Sequence, residues 1–118
     1  MFAAYETTVN YEHSSRIRKA IMEEAVDRYL SLQPKVFPIK REASFVLLKV
    51  QKSYRSNGEL LTISIQDNSF HIVSRCVAQP YQKICWGKNR DNVLNLSDCI
   101  KKTIQERSQD VASLVWEY

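Results

Sequence analysis

The 118-residue chain is 44% hydrophobic and 25% charged, too apolar for a disordered segment and too charged for a membrane span, and long enough for one core burying roughly 65% of the unfolded surface. Seventeen Lys and Arg against thirteen Asp and Glu leave a formal net charge of +4, spread along the chain with none of the clustering that marks a dedicated nucleic-acid binder. Glycine occurs only 2 times and proline 3 times, which favours a few long elements over a loop-rich fold.

The start, "MFAAYETTVNYEHSS", lacks the cationic lead and apolar block of a secretory signal, and residues 1–13 are expected to be loosely ordered. From Ser14 or Ser15 onward, Ile17, Ala20, Ile21, Ala25 and Leu30 recur at spacings of three to five with charges between them, which predicts an amphipathic helix over roughly 14–32. A serine ahead of the run can cap its free N–H groups, and Pro34 ends it, because the residue before a proline is pushed out of helical geometry. Residues 36–39 are apolar but interrupted by Pro38, as in an extended connection or a short edge strand.

Three stronger strands follow. "SFVLLKVQKSY" (44–54) is rich in β-formers, "ELLTISIQ" (59–66) alternates cleanly, and "SFHIVSRCVA" (69–78) completes an antiparallel meander through turns at "RSNG" and Asp67-Asn68. A two-residue turn at Asp67-Asn68 sets Ile65 against Phe70, Ile63 against Ile72 and Leu61 against Ser74. With a two- or four-residue turn around Asn57-Gly58, Val46, Leu48 and Val50 share the core face, and Phe45, Leu47, Lys49, Gln51, Leu60, Thr62, Ser64, His71, Val73 and Arg75 take the other, whereas a three-residue turn reverses the first strand.

"ICWGKNRDNVLNL" (84–96) leads into a second helical stripe, Val93, Leu96, Ile100 and Ile104, which predicts a helix over roughly 90–107. Asn89 is placed to cap it, with Gly87 supplying a left-handed turn and Trp86 closing the core edge. Residues 108–118 carry Val111, Leu114, Val115 and Tyr118 at helical spacing, as a tail, a short extra helix or an extension. With no repeat or linker, residues 1–118 are expected to form one domain: an α+β two-layer sandwich ordered helix, three- or four-stranded antiparallel meander, helix. Both helices have a single apolar stripe, so both are placed on the sheet face richer in Val, Ile and Leu.

Chemistry-bearing constellations are sparse. Cys76, Cys85 and Cys99 are an odd set without metal-ligand spacing, which suits reduced thiols and a cytoplasmic location better than a disulfide frame or a zinc site. Cys85, close to Lys88, Arg90 and a helix start, has surroundings that favour a thiolate, but only His13 and His71 offer an imidazole and neither stands in a cysteine-enzyme signature. Glu23 and Glu24 are adjacent on a helix and point apart, so they make poor acid–base partners. Tyr29, Tyr54 and Tyr81 are expected to be half-buried with wet hydroxyls. No catalytic set, cofactor motif or metal site emerges.

What remains is surface. Phe45, Leu47 and Val73 give the second sheet face an apolar edge, expected to be covered by the N-terminal segment, the C-terminal tail or another subunit, and Trp116 and Tyr118 add apolar surface at the tail. The leading expectation is a non-enzymatic binding or interaction module, self-associating through that surface or meeting a protein partner, with no membrane role. The alternative is nucleic-acid or polyanion binding through Lys49, Arg75, Lys88 and Arg90, and a third is a thiol enzyme centred on Cys85.

Overall fold

The computed structural model describes residues 4–51, 58–76 and 86–116, with the side chains of Trp86 and 108–116 excepted. Its elements run β1 (Ala4–Asn10), α1 (Ser15–Leu32), β2 (Val36–Arg41), β3 (Phe45–Val50), β4 (Glu59–Gln66), β5 (Ser69–Cys76) and α2 (Trp86–Trp116). The strands form one 5-stranded antiparallel sheet in the order β1-β5-β4-β3-β2. The fold is therefore α+β, but a strand precedes the first helix and the sheet has one more strand than the sequence pattern suggested.

Helix α1 begins where its cap says it should. Ser14 stands at the N-cap in extended geometry, its Oγ accepting from the Ile17 N–H at 3.3 Å, and Gln33 ends the helix just ahead of Pro34. The β4–β5 hairpin pairs Ile65 with Phe70, Ile63 with Ile72 and Leu61 with Ser74, as a two-residue turn requires. Asn68 there adopts φ 58, a left-handed conformation that asparagine tolerates better than most residues. The "RSNG" turn lies largely outside the described residues, and only Gly58, at φ 100, is seen, in a region where glycine has no Cβ penalty.

Residues 4–10, expected to be loose, are the sheet's first strand. β1 pairs with β5 from Ala4↔Arg75 to Asn10↔Ser69, and Tyr11 just beyond it stacks between Phe70 (6.5 Å) and His13 (5.6 Å). β2 is the opposite edge, where a register shift between Pro38 and Lys40 interrupts the free hydrogen-bonding edge and discourages pairing with another sheet.

Both helices pack on one face, as the stripes predicted. α2 meets α1, β1, β4 and β5, and α1 meets β4. Between these layers Ile21, Ala25, Val26, Leu48, Leu61, Ile63, Phe70, Ile72, Val93, Leu96 and Ile100 are all 0% exposed, each large aliphatic side chain worth roughly 1.5–3 kcal/mol of burial. At the helix–helix contact Arg28 forms a two-pronged ion pair with Glu106, and Arg107 Nε lies 3.0 Å from Glu24 Oε2.

The Arg28 guanidinium, through its hydrogen bonds, holds the Glu106 carboxyl below its usual 4.5. A carboxyl lowered in the folded state stabilises that state fully above its unfolded pKa and loses the contribution as pH falls through the folded value. Glu106→Gln is therefore expected to lower stability slightly at neutral pH, where the contribution is fully present, and progressively less as pH falls below about 4.5, so that the acid limb of the stability curve flattens. Urea midpoints measured across that pH range check this, and an acid limb as steep as the wild type's would contradict it.

Candidate binding surface

Because both helices cover the same face, the sheet's other face has no element over it among the described residues. The N-terminal segment, one of the three covers expected for it, adds an edge strand to the sheet instead over residues 4–10. The register stacks the uncovered side chains into rows. One row is Phe37, Lys49, Leu60, Arg75 and Ala4; the next is Lys40, Leu47, Thr62, Val73 and Glu6; the third is Phe45, Ser64, His71 and Thr8.

Phe45, Leu47, Leu60 and Val73 are half-buried, Lys49 and Arg75 exposed, and Phe37 is 51% exposed at the edge. The first row thus alternates aromatic or aliphatic with cation, and Lys49 and Arg75, two strands apart, sit roughly 10 Å from each other. Lys40 Nζ lies 5.7 Å from the centroid of the Phe45 ring and 3.0 Å from Glu42 Oε1. His71 is held locally, Nε2 3.3 Å from Glu6 Oε2 and Nδ1 3.3 Å from the Gln66 amide nitrogen.

The structure gathers only part of the sequence-derived candidate set. Phe45, Leu47, Val73, Lys49 and Arg75 share the open face. Lys88 and Arg90 lie in the first turns of α2, on the covered side of the sheet, so the four cations do not form one anion site. Trp116 ends α2 without a described side chain, and Tyr118 lies outside the described residues. Phe37 and Lys40 join the surface because Val36–Arg41 is a full strand, which Pro38 obscured in the sequence.

The α2 start corrects a second expectation. The helix begins at Trp86, so Gly87 is helical and Asn89 stands inside the helix, 0% exposed, beyond the N-cap position. Asn89 instead accepts from Ser74 Oγ at 2.7 Å and donates to Cys76 Sγ at 3.5 Å, while Asn92 donates to Glu59 Oε1 at 2.9 Å and to Ser74 Oγ at 3.3 Å. Glu59 and Ser74 are 0% exposed. This buried chain of polar groups ties the first turns of α2 to the ends of β4 and β5.

The cysteines differ from expectation too. Cys76 is disulfide-bonded and Cys99 is a free, buried thiol, so the inference from reduced thiols to a cytoplasmic location no longer holds. Cys85, the proposed nucleophile, lies outside the described residues. Among the described residues no three His, Cys, Asp or Glu side chains gather as metal ligands, and no helix is long and apolar enough to cross a membrane. The sequence matches no protein-family model and no curated protein.

Proposed function

We propose that this protein is a non-enzymatic binding module whose working surface is the open face of its sheet, and that its partner is a protein segment carrying acidic and apolar side chains. The observation supporting this is the row Phe37, Lys49, Leu60, Arg75, which offers apolar seats and positive charges in alternation on a rigid platform. An amphipathic segment with carboxylates about two helical turns apart, roughly 11 Å, matches the Lys49–Arg75 separation. Partner recognition of this kind relies on buried apolar anchors, with the charges setting orientation and on-rate.

A second copy of the chain fits less well. Two such faces laid together would bring Lys40, Lys49 and Arg75 near their counterparts, with Glu6 already engaged by His71. Single-stranded nucleic acid is disfavoured by the separation of Phe37 and Phe45 at opposite ends of the β2–β3 ribbon, which leaves no continuous stacking platform.

The test is NMR titration with an acidic amphipathic peptide and, separately, with poly-uridine at low salt. Peptide binding is expected to shift the Leu47, Leu60 and Val73 amides, and Lys49→Glu with Arg75→Glu should weaken it about tenfold or more, the scale of one to two charge pairs. Shifts confined to the first turns of α2, or binding of poly-uridine but not peptide, would overturn the proposal.

A further inference from the structure

On the helix side of the molecule, away from the open sheet face, a cleft of about 360 Å³ lies between the end of α1 and the middle of α2. Tyr29 and Cys99 line it, with Leu32 and Gln33 on the α1 side and Asp98 and Lys102 on the α2 side. Its size falls at the lower end of the range for small-molecule pockets, roughly 300–1,000 Å³.

Tyr29 is the anomaly. Its side chain, expected to be half-buried and wet, is 1% exposed, and among the described residues its hydroxyl has no hydrogen-bond partner. Buried tyrosine hydroxyls nearly always find one. Burial drives the hydroxyl's pKa up, and Cys99 followed by Glu59 adds to the rise, so the phenol oxygen stays protonated and lies within electrostatic reach of the cleft's thiol. The Cys99 pKa is raised as well, chiefly by burial, which keeps that group an S–H. Lys102 is exposed at the rim, and Leu32, 64% exposed, offers an apolar wall. Arg28 is already engaged by Glu106.

The cleft therefore holds the Tyr29 O–H and the Cys99 S–H as donors, with the side chains of Lys102 and Asp98 and an apolar wall beside them. A ligand complementary to this set brings acceptor oxygens with negative charge and a short apolar body. We propose that the α1–α2 cleft is a binding site for a small amphipathic carboxylate, whose oxygens accept from Tyr29 and Cys99 and pair with Lys102 while its apolar part lies along Leu32. No covalent step is involved. The site is separate from the sheet face, so neither proposal depends on the other.

The experiment is calorimetric titration of the full chain with phenylacetate and octanoate, and with phenylacetamide as the uncharged control. At least one carboxylate is expected to bind at millimolar or lower concentration and the amide to bind more weakly. Tyr29→Phe and Lys102→Met should each weaken carboxylate binding about tenfold, the loss expected for one hydrogen bond to a charged group. Bound carboxylate should also slow iodoacetamide modification of Cys99. In the free protein Tyr29→Phe should be at least as stable as the wild type, because a hydroxyl without a partner is removed. Failure of both carboxylates to bind, unchanged affinity in both variants, or a Tyr29→Phe protein less stable than the wild type without ligand would each overturn the site. Lys102 is exposed, so its variant reads the loss of affinity independently of any change at the buried tyrosine.

Discussion

Replacing Phe70 with alanine is expected to remove about 3–5 kcal/mol of stability, the cost of a large cavity in a packed core. Phe70 is 0% exposed, stands opposite Val9 on β1 and Ile65 on β4, and has Tyr11 stacked at 6.5 Å. The hole would open where the first strand, the last hairpin and the helix layer meet, and a shift of one neighbour cannot fill it without breaking the sheet register. Against a total of about 5–15 kcal/mol for a domain of this kind, that loss leaves little. Guanidinium denaturation gives the total, and hydrogen exchange should show β1 loosening first. A loss under about 1 kcal/mol, the level of a surface substitution, would mean that Phe70 does not anchor the strand.

The second large effect concerns the polar groups between α2 and the sheet. Asn92→Ala removes the donor to Glu59 and Ser74 at a site 2% exposed, and stripping a donor from a buried carboxylate is expected to cost about 2–4 kcal/mol. Replacing both members, Glu59→Leu with Asn92→Leu, should recover part of that loss, because a matched apolar pair leaves fewer buried polar groups without partners. The comparison separates two roles for the network. A double variant at least as stable as the single one, but with blurred NMR signals in the first turns of α2, would show that these groups fix the helix's position more than they hold it down. A double variant less stable than the single one would contradict this account.

Much of the framework could be read from the residues because the signals were local. Ser14 and Pro34 bracket α1, Asp67-Asn68 sets the β4–β5 register, and the alternation in residues 59–66 separates core face from open face. Phe45, Leu47, Val73, Lys49 and Arg75 share the open face for that reason. The misses have a common cause in distant partners. "AYETTVN" carries one side chain, Val9, that becomes buried, so nothing in its own pattern announces a strand that β5 creates by pairing. Asn89 has the chemistry of a cap, and partners brought in by the fold, Ser74 and Cys76 among them, turn it inward. Tyr29 lies on the apolar stripe of α1, but its burial depends on Cys99 and the rest of α2, seventy positions on. The disulfide at Cys76 could not be told from a reduced thiol by counting to three.

The β1–β5 pairing also sets an order of events during synthesis. Ala4 pairs with Arg75 and Asn10 with Ser69, so the first strand made cannot take its place until nearly the whole sheet has left the ribosome, whereas the β3–β4 and β4–β5 pairings close between neighbours in sequence. Non-local pairings of this sort form late and leave their strands exposed meanwhile. A first strand built from Glu6, Thr7, Thr8 and Asn10, with little apolar surface to offer a wrong partner, is suited to that wait in water. The weak hydrophobic pattern that hides β1 in the sequence is the property that lets the nascent chain carry it safely.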